Sequence, residues 1–151
     1  MPYHALLLIT FSLSAVLTGL IWTVQLVHYP GFINVGRETF STYEALHRKR
    51  IFPLVGPLMA AELAATAWLI LAGHVSILHM IAAALVILVW VHTWTFAAPA
   101  HFRLDREGYS KPVIRKLVLG NWVRTISWTV RALIYGYLLY ELVSDQAAFH
   151  S

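Results

Sequence analysis

Residues 117–143 read LVLGNWVRTISWTVRALIYGYLLYELV, an apolar stretch that carries two arginines in its interior. About 20 apolar residues span a bilayer, so this stretch is long enough to cross one. A charge near the middle of a bilayer costs roughly 2.5–3.5 kcal/mol on insertion scales. The polar and aromatic members recur at steps of three and four, which places them on one helical stripe: Asn121, Arg124, Thr125, Trp128, Arg131 and Tyr135. The stripe is therefore expected to face protein, a cofactor or a substrate rather than lipid.

The composition agrees with a membrane protein. Of the 151 residues, 59% are hydrophobic and 12% are charged, which is outside the range of ordinary soluble domains. Four stretches have the length of a transmembrane helix, at about 5–29, 51–73, 75–98 and 118–143. We expect an all-α, integral membrane four-helix bundle that forms a single transmembrane domain over residues 1–151. The chain has no cysteine, which excludes disulfides, thiolate metal ligands and cysteine nucleophiles.

The predicted topology explains the net charge of +4 without a nucleic-acid partner. Nine of the eleven Lys and Arg lie in two segments, residues 37–50 and 103–116. The positive-inside rule places both segments in the cytoplasm and both termini outside. The same segments would meet the anionic headgroups of the bilayer, which is the first expected partner.

Helix-breaking residues predict where the spans end. Tyr29-Pro30-Gly31 predicts the end of the first helix, and residues 97–100 (AAPA) the end of the third. Ser41 and Glu44 have capping-box spacing, which predicts a short helix over residues 42–50, separate from the second span. Gly73-His74 predicts a tight hairpin, and Ser110 or Lys111 is expected to open the last helix after a polar loop over residues 103–110.

Glu62 is the single acid in the middle of a predicted span, and Arg131 is the deepest base. An unpaired charge at that depth is costly, so the two are expected to pair. Two interpretations stay open. The pair fixes helix register, or the carboxylate has a catalytic or metal-binding role.

Arg124 lies nearer the predicted cytoplasmic side. It either reaches toward the headgroups or offers its planar donor fork to an anionic or carbonyl-bearing ligand. Asn121, one turn away on the same face, favours the ligand. On the first helix, Gln25 carries a buried amide that needs partners on another helix.

Histidines concentrate toward the same side. His28 and His92 lie near the ends of spans, and His47 and His101 are expected in the loops that cap them. Imidazoles with a carboxylate suit Zn, Fe or Cu, and two imidazoles from facing helices suit haem. A transition metal or haem is therefore an open possibility, with His28, Glu62, His92 and His101 as the metal ligands; hydrogen-bonded interior histidines are the alternative.

Five motifs carry a resemblance to a group of uncharacterised bacterial four-span membrane proteins. They are W-x-x-Q-x-x-x-Y-P at residues 22–30, H-x-x-R at 47–50, P-x-M-x-x-E at 57–62, P-x-H-x-x-L at 99–104 and N-W-x-R-T-x-x-W-x-x-R at 121–131. This resemblance implies the bacterial inner membrane but no activity. The four-span layout and the Asn-x-x-Arg-Thr segment also resemble the anthrone-oxygenase-like membrane family, which implies an oxygenase acting on a polycyclic phenolic substrate.

The leading functional prediction is a small membrane oxidoreductase, oxygenase-like, that acts on a lipophilic substrate from the cytoplasmic half of the bundle. The predicted catalytic residues are His28, His92, His101 and Glu62. The predicted substrate-binding residues are Gln25, Tyr29, Asn121, Arg124, Trp128 and Arg131. The alternatives are a haem-, metal- or lipid-binding accessory subunit of a membrane complex, or a purely structural interaction protein. Assembly into a homo-oligomer or a larger membrane complex stays open.

Overall fold

Four long helices, each built on one apolar run of the sequence, make up most of the molecule. The computed structural model describes the backbone of residues 2–149 and the side chains of residues 2–145. Helices follow one another in this order: α1 Tyr3–Asn34, α2 Phe40–Leu71, α3 Ile77–Glu107, the short α4 Lys111–Gly120, and α5 Trp122–Phe149.

The long helices run up and down in chain order. α1 packs against α2 and α5, and α3 packs against the same two helices. Short connections between antiparallel neighbours give this arrangement in four-helix bundles. The predicted all-α four-helix bundle is confirmed.

Within the described residues, α1, α2 and α3 are each long and apolar enough to cross a membrane. Their outer surfaces carry large apolar side chains, among them Leu26, Val27, Phe52, Leu71 and Ile87. The chain is therefore a helical membrane protein. α5 also carries two arginines inside its apolar sequence, and its crossing stays a prediction.

Two prolines that were expected to end helices do not end them. α1 continues past Pro30 to Asn34, and α3 continues past Pro99 to Glu107. In both helices a π-helical turn of five residues ends two residues before the proline, at Val24–His28 and at Thr93–Ala97. A proline lacks an N–H and its ring collides with the carbonyl four residues earlier. In a π turn the backbone hydrogen bonds join residues five apart instead of four. The carbonyl groups before the proline are therefore paired differently, and the helix continues.

The separate helix over residues 42–50 was also predicted wrongly. α2 is continuous from Phe40, and Pro53 and Pro57 lie inside it. Glu44 does not act in a capping box with Ser41, because its carboxylate is buried against another helix. Histidines expected in loops therefore lie on helices, and only residues 108–110 connect α3 to α4.

Glycine or a single turn defines three of the four connections between helices. Gly73 has a φ of 84° and forms the predicted hairpin between α2 and α3, and Gly108 has a φ of 79° in the link to α4. α4 begins at Lys111, directly after Ser110, as predicted. A turn at Asn121 then separates α4 from α5. At Gly120 a β-carbon would lie 2.1 Å from the ring of Phe96, so this junction needs glycine.

The bundle has two apolar cores, one toward each end. We call the end formed by residues 32–50 and 101–120 the basic end, because it holds nine of the eleven Lys and Arg. The core near it includes Phe32, Phe40, Leu104, Ile114, Leu117 and Trp128. The opposite end, at the hairpin, has its own core of Leu6, Leu7, Leu69, Ala82 and Tyr135.

Candidate functional site

Glu62 lies in the middle of the bundle, and three donors from two other helices surround its carboxylate. One oxygen accepts from Arg131 Nε at 3.0 Å and from the Ser14 hydroxyl at 2.8 Å. The second oxygen accepts from Trp128 Nε1 at 2.9 Å. The predicted Glu62–Arg131 pair is confirmed.

The guanidinium of Arg131 has further hydrogen-bond acceptors besides Glu62. It donates to the carbonyl of Ala82 and, at 3.0 Å, to the hydroxyl of Thr66, and it lies over the ring of Tyr135 at 5.4 Å. Both partners of the pair are completely buried. Removing one member of a buried pair of this kind is strongly destabilising, because the other charge is left without a partner. We call this set the central ion pair, and its geometry favours the structural interpretation.

Nearer the basic end, a chain of amide contacts joins α1 to the α4–α5 junction. Gln25 donates to the carbonyl of Val118 at 3.1 Å, and its oxygen accepts from Asn121 at 2.9 Å and from Thr125 at 3.4 Å. The predicted partnership of Gln25 with another helix is confirmed. The oxygen of Asn121 then accepts from Arg124 Nη1 at 3.4 Å, which orients the guanidinium.

Arg124 faces a cleft between α2 and α3. The cleft has a volume of about 950 Å³, which is the size of pockets that hold small molecules. Its walls are mostly apolar and include Leu20, Val24, Phe52, Val55, Met59, Trp94, Ala97 and Phe102. Its polar side chains include Tyr29, His47, His101 and Arg124. An apolar cleft with a few polar groups suits a lipophilic ligand that carries a polar atom.

Two buried hydrogen-bond donors, in side chains that line this cleft, have no acceptor among the described residues. They are Nε of Arg124 and Nε1 of Trp90. Arg124 is 7% exposed, and its guanidinium lies 5.2 Å from the centre of the Trp128 ring. A buried donor without a partner costs roughly 1–3 kcal/mol. Both atoms are enclosed by protein, so a ligand oxygen would reach them only after the surrounding side chains moved.

Tyr29, His101 and Glu44 form a hydrogen-bonded row beside the cleft. The Tyr29 hydroxyl lies 2.8 Å from His101 Nε2, and His101 Nδ1 lies 2.5 Å from a carboxylate oxygen of Glu44. The residues come from α1, α3 and α2. Tyr29 directly follows the π turn of α1, and His101 lies four residues after the π turn of α3; π turns are frequent at functional sites.

His28 and His47 form a second polar pair next to this row. His28 Nε2 and His47 Nδ1 lie 2.7 Å apart, and the ring centres of His47 and His101 are 5.3 Å apart. His28 and His47 also line a smaller cavity of about 430 Å³ between α1 and α2. His47 therefore borders both cavities.

The histidines and the carboxylate predicted as metal ligands are not brought together. His28 pairs with His47, His101 with Glu44, and Glu62 with Arg131. The ring of His92 packs on Phe96, 4.9 Å between centres. On the same helix, fifteen residues separate Glu62 from His47, about 22 Å along the axis at 1.5 Å per residue. Within residues 2–145, no group of His, Asp and Glu side chains is arranged to hold a metal ion.

The predicted substrate-binding residues divide between two places. Of that set, Tyr29 and Arg124 line the cleft. Gln25 and Asn121 stand behind Arg124 and orient it, whereas Trp128 and Arg131 belong to the central ion pair. Neither of the two cavities described above is lined by Trp128 or Arg131, so a ligand role for these two residues stays a prediction.

Sequence reasoning missed Glu44 as a site residue. Glu44-Ala-Leu-His47 is an E-x-x-H pattern on a helix, and residues three apart share a helix face. That spacing was the available signal, but the capping-box interpretation of Glu44 concealed it. Trp90 had no local signal, because its relevance comes from the cavity beside it.

Comparisons with protein-family models, with curated proteins and with solved structures found no match to this chain. The fold and the site define an all-α membrane protein with a buried ion pair and a lateral cleft. The resemblances in the sequence motifs stay predictions.

Proposed function

We propose that this protein binds a lipophilic molecule bearing an anionic or carbonyl oxygen in the cleft between α2 and α3, and acts on it there. The observation that carries the proposal is Arg124, a guanidinium that is 7% exposed on the wall of a cleft whose lining residues, among those that the structure describes, include no acid. Planar arginine donors match carboxylate and carbonyl oxygens well.

The route into the cleft supports a ligand that arrives from the membrane. Phe52, Trp94 and Phe102 line the cleft and are also more than half exposed on the outer surface of the bundle. An opening between apolar helices that is bordered by exposed aromatic rings admits a molecule dissolved in lipid. The polar end of that molecule would then lie toward Arg124 and the basic end.

The predicted oxidoreductase or oxygenase-like activity is the finer part of the proposal. Its support is the row of Tyr29, His101 and Glu44 beside the cleft, because such groups move protons during chemistry on a bound molecule. A non-enzymatic lipid-binding subunit is the second candidate, and the lateral opening of the cleft favours it. The sequence also left open an accessory subunit that binds haem. Visible absorption of the protein purified from its native membrane tests for that haem.

The experiment measures binding of three probes to the purified protein in detergent. The probes are 2-decyl-1,4-benzoquinone with carbonyl oxygens, dodecanoic acid with a carboxylate, and dodecane with no oxygen. Trp90 and Trp94 border the cleft, so quenching of tryptophan fluorescence reports binding of the quinone, and its displacement reports the other two. We expect the quinone or the acid to bind and dodecane to bind at least tenfold more weakly.

Arg124→Lys keeps the charge and removes the donor fork. A hydrogen bond to a charged group contributes about 1.5–3 kcal/mol, so affinity should fall about tenfold or more. Arg115→Lys, at an exposed position on α4, is the matched control and should bind normally. Unchanged affinity in Arg124→Lys would instead indicate a headgroup role for Arg124. Equal binding of dodecane, or no binding of any probe, would overturn the proposed function.

A further inference from the structure

We infer that Tyr29, His101 and Glu44 form an acid–base site that takes a proton from a lipophilic weak acid held in the cleft. The inference rests on the proposed function, because the acid must occupy that cleft. It assigns the proton transfer to Tyr29 and His101, and it makes Glu44 a positioning residue.

One arrangement of protons satisfies all three groups when Glu44 is ionised and His101 is neutral. An ionised carboxylate can only accept hydrogen bonds, so His101 Nδ1 carries a proton and donates it to Glu44 across 2.5 Å. In a neutral ring Nε2 is then an acceptor, and the Tyr29 hydroxyl donates to it at 2.8 Å. The guanidinium of Arg124 also lies within hydrogen-bonding reach of this phenolic oxygen. The oxygen has two lone pairs, so one is left for a ligand O–H in the cleft to donate to.

The proton step balances without an oxidant or a reductant. The ligand O–H bond breaks and its proton moves to the oxygen of Tyr29, while the Tyr29 proton moves to His101 Nε2. Tyr29 ends neutral, His101 becomes an imidazolium beside the carboxylate of Glu44, and the ligand becomes an anion. Arg124 lines the same cleft and supplies a positive charge for that anion. Each new charge therefore has an opposite charge within the site.

Every helix that surrounds His101 contributes to its electrostatic environment. The charged or titratable side chains that contact His101 or line the same cleft are Tyr29 on α1, Glu44, His47, Arg48 and Lys49 on α2, and Arg124 on α5. The smaller cavity next to them adds His28, Tyr43 and Arg50. The charged residues of α4 are exposed. Glu44 is the one acid among these residues, so a proton that reaches His101 is held mainly by that carboxylate.

Comparison of the two buried carboxylates separates a functional role from a structural one. Glu62 receives three donors and has both oxygens occupied. Glu44 is equally buried, but its second oxygen has no partner within the described residues. A carboxylate that only held helices together would be saturated as Glu62 is, because an unmet buried acceptor is destabilising. Pairs of carboxylates in such different environments commonly have different roles.

The test uses 4-decyl-2-nitrophenol, a lipophilic weak acid whose absorption spectrum differs between its phenol and phenolate forms. The bound fraction is measured first by equilibrium binding. A pH titration of the bound probe then gives its ionisation midpoint in wild type, Tyr29→Phe and Glu44→Gln. Tyr43→Phe, an exposed tyrosine on α2, is the matched control. Glu44→Asp keeps the carboxylate and tests rescue.

In wild type we expect the bound probe to be about tenfold more ionised than in empty detergent micelles at the same pH. Tyr29→Phe and Glu44→Gln should lose most of that difference and still bind the probe, because Arg124 is intact. Tyr43→Phe should match wild type, and Glu44→Asp should recover part of the effect.

The two possible failures are distinguishable. A probe that binds wild type and both variants with one shared midpoint would overturn the acid–base site and leave the proposed cleft standing. A probe that does not bind wild type, together with failure of the quinone and the fatty acid, would overturn both. If Glu44→Gln does not fold, a normal midpoint in Tyr29→Phe alone refutes the inference.

Discussion

The central ion pair offers the sharpest test of how the bundle is held together. Arg131→Met leaves the Glu62 carboxylate buried with two of its three donors. The attraction lost is about 4 kcal/mol for unit charges near 4 Å at an effective dielectric constant of 20. Removing one member of a buried pair destabilises proteins by about 3–5 kcal/mol. We expect each of Arg131→Met and Glu62→Gln to lower the free energy of unfolding by an amount in that range.

The double variant decides whether the two residues act on each other. With both charges gone, no uncompensated ion remains. Trp128 can still donate to the glutamine oxygen, and the Ser14 hydroxyl can accept from the glutamine amide. The loss should be smaller than the sum of the two single losses by at least about 2 kcal/mol. Unfolding by sodium dodecyl sulfate in mixed micelles, followed by circular dichroism, measures all four proteins.

An exposed pair provides the control for this cycle. Arg103 and Glu107 lie one turn apart at the end of α3 and are 58% and 49% exposed. Solvent-exposed pairs contribute less than about 1 kcal/mol, so the same cycle at Arg103 and Glu107 should be nearly additive. Additive losses at the central pair as well would refute the assigned contact and its energy.

Two further predictions concern packing and topology. Gly120→Ala should destabilise the bundle by about 1–3 kcal/mol through its clash with the ring packed against it, measured by the same detergent titration. Gly19→Ala, which meets no atom within 4 Å, should be neutral or stabilising by up to about 1 kcal/mol. Single cysteines at Thr42 and Tyr109 should react with an impermeant maleimide only from the cytoplasmic side, and one at Gly73 only from outside. Labelling of the Gly73 and Tyr109 positions from the same side would contradict the four-span topology.

The local sequence pattern was sufficient to predict the helices and the central ion pair. Apolar runs of membrane length have few alternatives to the helix, since every backbone group must be satisfied within lipid. Glu62 and Arg131 could be paired from the sequence because each was the one charge of its sign at that depth of the bundle. Gln25 could be assigned a partner on another helix for a similar reason, because a buried amide cannot stay unpaired.

The ends of the helices and the cleft between them depended on the tertiary structure. Pro30 and Pro99 look like helix stops in sequence, but the π turns before them keep the helices continuous. Because α2 is continuous through Pro53, Glu44 and His47 lie inside the bundle and not on the separate short helix predicted over residues 42–50.

The sequence alone thus determined a helical membrane protein with a buried ion pair and polar groups collected toward its basic end. The tertiary structure decided which of those groups meet. Tyr29, Glu44 and His101 lie on three different helices and up to 72 positions apart in the chain, so no local spacing could join them. Their contact depends on the rotation and length of each helix, which packing sets and periodicity does not.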